Sequence, residues 1–356
     1  MGAPSSALLH CLVIRADASA NVGGGHIMRC MALARAWDSA NDNATTQSSR
    51  VVFVCAEITD DLYTQIVDQG FECRSIEAER GSLEDAELTL SVSEELDAAA
   101  VVLDGYCFTR GYQQSLYGRV RKLVLYDDEA IAESFKCHIL VNQNVSADAK
   151  YYQSRAGRAE LLMGAKYASI RREFTQYASY DRKYSGSSRI LVSLGLSDTT
   201  ETIFVILRAL ELITDTSLQI SILVGGSDIV RLQKMSQSMR HSVECLPQVN
   251  NVAERLIDAD FAILASGGTA NEAATLATPM ILVCVADNQE PAYQEYVRFG
   301  GALAGGLAPH ILDTEFAEVS RRMIDEEGIR QTCGHLARKA VDGCGATRVV
   351  EAILSD

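Results

Sequence analysis

Ile14-Arg-Ala-Asp-Ala-Ser-Ala-Asn-Val-Gly-Gly-Gly-His-Ile-Met-Arg29 is the stretch on which the reading of the chain turns. An apolar run, Leu9 to Ile14, leads into it. Three consecutive glycines follow, and then a stretch from His26 to Ser39 in which Ile27, Cys30, Met31, Ala34 and Trp37 recur at helical spacing. Strand, glycine turn and helix in that order form the opening unit of a parallel α/β sheet. Glycines let the backbone approach a ligand closely, and the first N–H groups of the helix point at whatever sits there, so the turn suits an anion.

The same alternation runs outward from this unit. Val51 to Cys55, Ala100 to Leu103, Leu123 to Tyr126 and Ile139 to Val141 are short, continuous apolar runs, as expected of strands covered on both faces. The pattern restarts at Arg189 to Leu194, with a helix near Glu201 to Ile213 and strands at Leu218 to Val224, Phe261 to Ala265 and Met280 to Val285. A polar, tyrosine-rich segment, Arg171 to Ser188, separates the two series and reads as a linker. The expectation is an α/β chain of two Rossmann-like doubly wound domains, 1–185 and 186–356. A length of 356 residues fits two such cores. Asp42 to Ser49 reads as a polar loop insert and Ala78 to Asp97 as an acidic helical stretch on a solvated face, neither carrying chemistry. The closing segment, Gly334 to Leu354, reads as helical, with one helix crossing back toward the first domain.

Charge narrows the partners. With 32 Lys and Arg against 47 Asp and Glu, the formal net charge is −15, and a nucleic-acid backbone would be repelled. The ten cysteines stand singly without paired metal-ligand spacing, so they read as reduced thiols and neither a structural nor a catalytic metal is expected. Met1 to Ala7 lacks the character of a signal peptide and no apolar run is long enough to span a bilayer. These features lead us to expect a cytoplasmic protein without a membrane or nucleic-acid partner, and a monomer.

His26 is the leading candidate for chemistry. It sits in the first helical turn behind a glycine loop at a strand's carboxyl end, where α/β sheets place ligands, and histidine suits proton transfer at neutral pH. The alternative is a purely structural histidine. Gly24 and Gly25 join it as ligand-approach positions. Arg15, Asp17 and Arg29 lie close by and would orient the histidine, bind sugar hydroxyls or pair with each other.

The second domain repeats the logic at Ala265-Ser-Gly-Gly-Thr-Ala-Asn-Glu-Ala273. Ser266, Gly267, Gly268 and Thr269 would begin a helix facing a phosphate, and Glu272, one turn in, would accept hydrogen bonds from ribose hydroxyls. Helix capping by Ser266 or Thr269 is the other reading, and compatible with binding. Asp287-Asn-Gln-Glu-Pro291 follows a strand on the same rim, and its amides, Asn288 and Gln289, suit a sugar or diphosphate. Two glycine loops and an amide loop across two domains describe a cleft for one extended ligand, a nucleotide-linked sugar.

These motifs resemble the pseudaminic-acid-pathway nucleotide-sugar hydrolases of the MurG-like glycosyltransferase B (GT-B) superfamily. The likeness extends over Arg15 to Arg29, Leu103-Asp-Gly-Tyr106, Tyr126-Asp-Asp128, Val141-Asn-Gln-Asn144 and Leu162-Met-Gly-Ala-Lys-Tyr-Ala168. It continues through Val192-Ser-Leu-Gly195, the Ser266 to Glu272 loop, Asp287-Asn-Gln289 and Gly343-Cys-Gly-Ala-Thr-Arg348. The resemblance implies a GT-B fold with its active site between the domains. It implies hydrolysis of UDP-2,4-diacetamido-2,4,6-trideoxy-β-L-altropyranose without a cofactor or metal. By the same resemblance His26 is the catalytic base, Tyr106 and Asn288 lie near the sugar, Gly195, Gly268 and Thr269 contact substrate, and the Val249 to Val252 region meets the uracil. The chain departs from the family at Gly195-Leu196, where a second glycine is common, and at Glu201, which replaces an asparagine. Alternatives to hydrolysis are transfer of the sugar to an alcohol acceptor on the same fold, or a non-catalytic nucleotide-sugar-binding subunit.

Overall fold

The computed structural model describes residues 11–19, 22–42, 49–130, 132–195, 199–225, 228–247 and 251–355. Within it the chain forms two compact units: Met1–Arg171 with Cys344–Asp356, and Arg172–Gly343.

The first unit holds a seven-stranded, all-parallel sheet. Its strands are β1 (Cys11–Ala16), β2 (Arg50–Cys55), β3 (Glu72–Ser75), β4 (Ala100–Asp104), β5 (Leu123–Tyr126), β6 (Ile139–Asn142) and β7 (Glu160–Met163), in the order β3-β2-β1-β4-β5-β6-β7. The all-apolar runs read from the sequence are the inner strands, every residue of β1, β4, β5 and β6 being buried. The polar strand β3, Glu-Cys-Arg-Ser, takes an edge, where its charged groups reach water and discourage pairing with another chain.

Two cores sandwich this sheet. Leu12, Ile14, Phe53 and Val102 face Trp37 of the helix Gly25–Asp42 on one side, while Val13, Val54 and Leu103 face Leu90, Tyr112 and Tyr152 on the other. The final helix, Gly345–Leu354, packs on the first of these cores through Val349, Val350 and Ile353. Each such side chain contributes roughly 1.5–3 kcal/mol when fully buried. Gly345 has to be glycine there, because a Cβ would fall 2.2 Å from the Ala168 carbonyl oxygen.

The second unit is a six-stranded parallel sheet in the order β10-β9-β8-β11-β12-β13. Its strands are β8 (Arg189–Ser193), β9 (Gln219–Leu223), β10 (Ser242–Leu246), β11 (Phe261–Ala265), β12 (Met280–Cys284) and β13 (Leu303–Leu307). A core on one face joins Ile190, Val192, Ile220, Phe261, Ile281 and Phe316, and Leu191, Ala262, Leu264 and Leu282, also buried, alternate with these along the strands.

The units divide at Arg171 and Arg172, upstream of the boundary read from composition, and the closing helix lies with the first unit. The cause is visible in the segment read as a linker. Arg182, almost fully buried, donates to the carbonyls of Leu276, Ala259 and Leu256 at 3.2, 2.8 and 2.5 Å and to Thr278 Oγ1 at 2.8 Å. Arg330 and Arg338 donate to the carbonyls of Tyr184 and Tyr180 at 2.9 Å each. Three arginines thus fasten the segment to the second sheet's helices. With no carboxylate among its four partners, Arg182 is pushed down to about 10 by burial.

Candidate functional site

In each sheet the strand order reverses once, between β1 and β4 in the first and between β8 and β11 in the second. Ligands of open α/β sheets bind at such switch points, beyond the carboxyl ends of the strands. In the first unit that rim carries the glycine loop after β1 and the Asp104-Gly-Tyr106 turn after β4, neighbours because Ala16 pairs with Asp104.

The loop closes through Gly23, whose N–H donates to the Ser19 carbonyl at 2.8 Å with φ of +74°, a conformation that favours glycine. Gly24 precedes the helix and Gly25 begins it, exposed and with open space around it. His26 follows, buried against Asp104. Its Nδ1 lies 2.7 Å from Asp104 Oδ1, and Asp104 is fully inaccessible. Since a carboxylate only accepts, Nδ1 carries the proton in the neutral ring and Nε2 keeps its lone pair.

Arg29, one turn along, forks onto the same carboxylate, with Nε 2.5 Å from Oδ2 and Nη2 2.5 Å from Oδ1. Its Nη1 reaches both oxygens of Asp128 at 2.9 and 2.8 Å. The Cys30 thiol donates to Asp104 Oδ2 at 3.3 Å. Burial alone would raise the Asp104 carboxyl, but the Arg29 charge and the bonds from Arg29 and His26 outweigh it and hold the group well below the usual carboxylate range. The Tyr106 ring meets the His26 ring edge to face at 5.0 Å between centroids, and Tyr106 is 65% exposed.

Arg15 and Asp17 sit beneath this rim. Arg15 is fully buried, forked onto Asp85 at 2.8 and 2.7 Å and paired with Asp17 at 2.7 Å. Asp17 Oδ1 accepts from the backbone N–H of Ala56 and Glu57 at 2.8 and 3.0 Å. Asp85 also accepts from Tyr112 and from the Gly81 N–H. Of the readings open for this pair, bracing the loop is what these contacts describe. The acidic stretch Ala78 to Asp97, expected on a solvated face, has one inward member, because the helix Leu83–Glu95 turns Asp85 toward a buried guanidinium.

The second rim is built differently. Ser266, buried at the end of β11, donates to the Gln289 carbonyl at 3.3 Å, tying the two loops together. Gly267 is the extended N-cap of the helix Gly268–Thr275, and Thr269 stands in its first turn. The Gln289 amide nitrogen comes within 3.7 Å of where a Gly267 Cβ would be, and Gln289 Oε1 is buried without a partner among the described residues. Asn288 is exposed beside it and Glu272 is half-buried one turn into the helix. Gly195, after the neighbouring strand β8, adopts φ of +94° and is exposed. Of the two departures, Leu196 lies outside the described residues, and Glu201 pairs with Arg231 at 2.9 Å on the surface. Val249 and Asn250, in the region assigned to uracil, also lie outside the described residues.

Among the described residues no three His, Cys, Asp or Glu side chains are grouped to hold a metal ion, and no helix is long and apolar enough to cross a membrane. Sequence reasoning did not single out Asp104, Asp128 or Asp85 as partners. The available signal for Asp104 was an acidic residue ending an otherwise apolar strand.

No protein-family model matches the chain. It is 24% identical over 283 residues to the UDP-2,4-diacetamido-2,4,6-trideoxy-β-L-altropyranose hydrolase of Campylobacter jejuni, covering 78% of this chain and 93% of that protein. Among solved structures, Acinetobacter baumannii MurG superposes with a TM-score of 0.68 at 14% identity over 96% of this chain and 98% of its own. Anabaena HepE in complex with UDP gives a TM-score of 0.66 at 10% identity over 97% and 99%. The chain thus has the MurG-like GT-B fold of two Rossmann-like domains and, in sequence, resembles the UDP-diacetamido-sugar hydrolases.

Proposed function

We propose that the protein hydrolyses a UDP-linked diacetamido-trideoxy sugar, of the type UDP-2,4-diacetamido-2,4,6-trideoxy-β-L-altropyranose, to free sugar and UDP. The observation that carries this reading is His26, held through Nδ1 by a buried, ionised Asp104 so that Nε2 is the basic nitrogen. Water attacks the anomeric carbon while Nε2 takes its proton. The bond from that carbon to the UDP oxygen breaks, and UDP leaves from the opposite face with inversion. Tyr106, exposed at the edge of the His26 ring, is proposed to line the sugar, with Asn288 as a further contact. The backbone N–H groups at Gly24 and Gly25 belong to the same sugar-side rim.

The UDP falls to the second unit in this reading. The first N–H groups of the Gly268–Thr275 helix have no partner within the helix, and such groups stabilise charge growing on a leaving diphosphate. Ser266, Gly267, Gly268, Thr269, Gln289 and Gly195 make up the proposed diphosphate rim, and Glu272 the ribose contact. Arg15 and Asp17 are assigned to support of the loop, not to substrate.

The fold shared with MurG favours one other reading, transfer of the sugar to an alcohol acceptor. Incubating the protein with the UDP-sugar and no acceptor separates the two. Release of free sugar at a rate proportional to enzyme supports hydrolysis; UDP release only after an acceptor is added would replace it with transfer.

A further inference from the structure

Within the hydrolase reading, and resting on His26 as its base, we infer that Arg29 is a positioning residue that acts through charge, keeping His26 neutral, and that Asp128 holds Arg29 in place for that purpose. A carboxylate 2.7 Å from a ring nitrogen favours the imidazolium, and an imidazolium has no lone pair with which to take a proton from water. A histidine paired only with Asp104 would be drawn toward the inactive form.

Arg29 opposes that tendency from two directions. It forks onto Asp104, offsetting the carboxylate's charge. Its Nη2 also lies 3.2 Å from His26 Nδ1, so a proton added to the ring would meet a fixed cation. The groups facing His26 are Asp104 from the end of β4, Arg29 from its own helix, and the Tyr106 ring from the turn after β4, while the Cys30 thiol meets Asp104 Oδ2. Asp128, after β5, stands behind Arg29.

The same contacts take Arg29 away from the substrate. Nε, Nη1 and Nη2 are all engaged by the two aspartates, and the guanidinium lies over the Tyr126 ring, 5.1 Å from its centroid. Losing Arg29 should therefore alter how the histidine titrates before it alters how substrate binds.

The test uses the full chain with Arg29→Gln, Arg29→Lys and Asp128→Asn, reading the His26 ring by nitrogen-15 NMR against pH without substrate, and kcat/KM against pH with the UDP-sugar. In the unsubstituted protein the ring should appear at pH 7 as the neutral, Nδ1-protonated tautomer. Arg29→Gln should move the ring's titration midpoint, and with it the acid limb of kcat/KM, upward by about one pH unit or more. Arg29→Lys retains the charge and should hold the midpoint while lowering kcat about tenfold, since an ammonium cannot fork. Asp128→Asn keeps the charge of Arg29 but loosens the hold on its Nη1, and should move the midpoint upward by less than Arg29→Gln does.

An unmoved or lowered midpoint in folded Arg29→Gln overturns the inference, as does an Nε2-protonated or charged ring at pH 7 in the unsubstituted protein, which needs no variant. The base reading fails separately if His26→Ala still hydrolyses the sugar at the original rate, whatever the midpoints do.

Discussion

The two switch points of this molecule are laid out on one plan, each a loop after a central strand leading into a helix, yet they are equipped with different chemistry. The first brings together an imidazole, a guanidinium and two carboxylates within hydrogen-bonding distance. The second gathers glycines, hydroxyls and an amide, and relies on the backbone at a helix N-terminus. Side chains that titrate suit the making and breaking of bonds to hydrogen. Backbone N–H groups cannot titrate, and so suit an anion that must be gripped at every pH. In the proposed reading this difference gives proton transfer to the first unit and diphosphate binding to the second, and substitutions on the two rims should separate those roles.

The sharpest contrast is expected at His26. His26→Ala should lower kcat by about 10²–10⁴-fold, the usual span for a general base, while isothermal titration shows UDP binding unchanged. A parallel loss of UDP affinity would erase the division of labour. Asp104→Asn should cost about 10²–10³-fold in kcat with little change in KM, because the ring loses the acceptor that fixes its tautomer; a change confined to KM would mean that Asp104 serves binding instead.

The opposite signature belongs to the second rim. Thr269→Pro removes one of the helix's leading N–H groups, and should raise the Kd for UDP about tenfold while sparing the NMR signature of His26. Below the first rim, Asp85→Ala removes the forked partner of the buried Arg15 and leaves it only Asp17, and should destabilise the chain by about 3 kcal/mol in urea unfolding. A variant as stable as the parent would show that Arg15 does not depend on that partner.

Acid should also act unevenly. The folded-state Asp104 carboxyl is held below its unfolded value despite burial, chiefly by Arg29. Its contribution to stability is present above about pH 4, the unfolded value, and fades as pH falls toward the lower folded value. Asp104→Asn should therefore flatten the acid limb of the stability-against-pH curve, a smaller effect than the others.

Much of this contrast can be read in the sequence, because it lies in local order. Ser-Gly-Gly-Thr269 follows its apolar strand directly and Gly-Gly-Gly-His26 follows after a short loop, so their place at a sheet's rim follows from chain order alone. The partners are a different matter. Asp104 meets His26 only because β4 lies beside β1, a pairing across 78 positions of sequence. Asp85 is one acid among several in its stretch, and only the helix phase that buries Ala86, Thr89 and Leu90 with it turns it inward. Arg182 reads as one more polar residue in a linker until the carbonyls it caps are in place.

Where water attacks tests the proposed chemistry most directly. Turnover of the UDP-diacetamido-sugar in heavy-oxygen water, followed by mass spectrometry of both products, should place the label on the anomeric oxygen of the free sugar and none on UDP. Label appearing on the phosphate would mean attack at phosphorus, and would contradict the role given to His26.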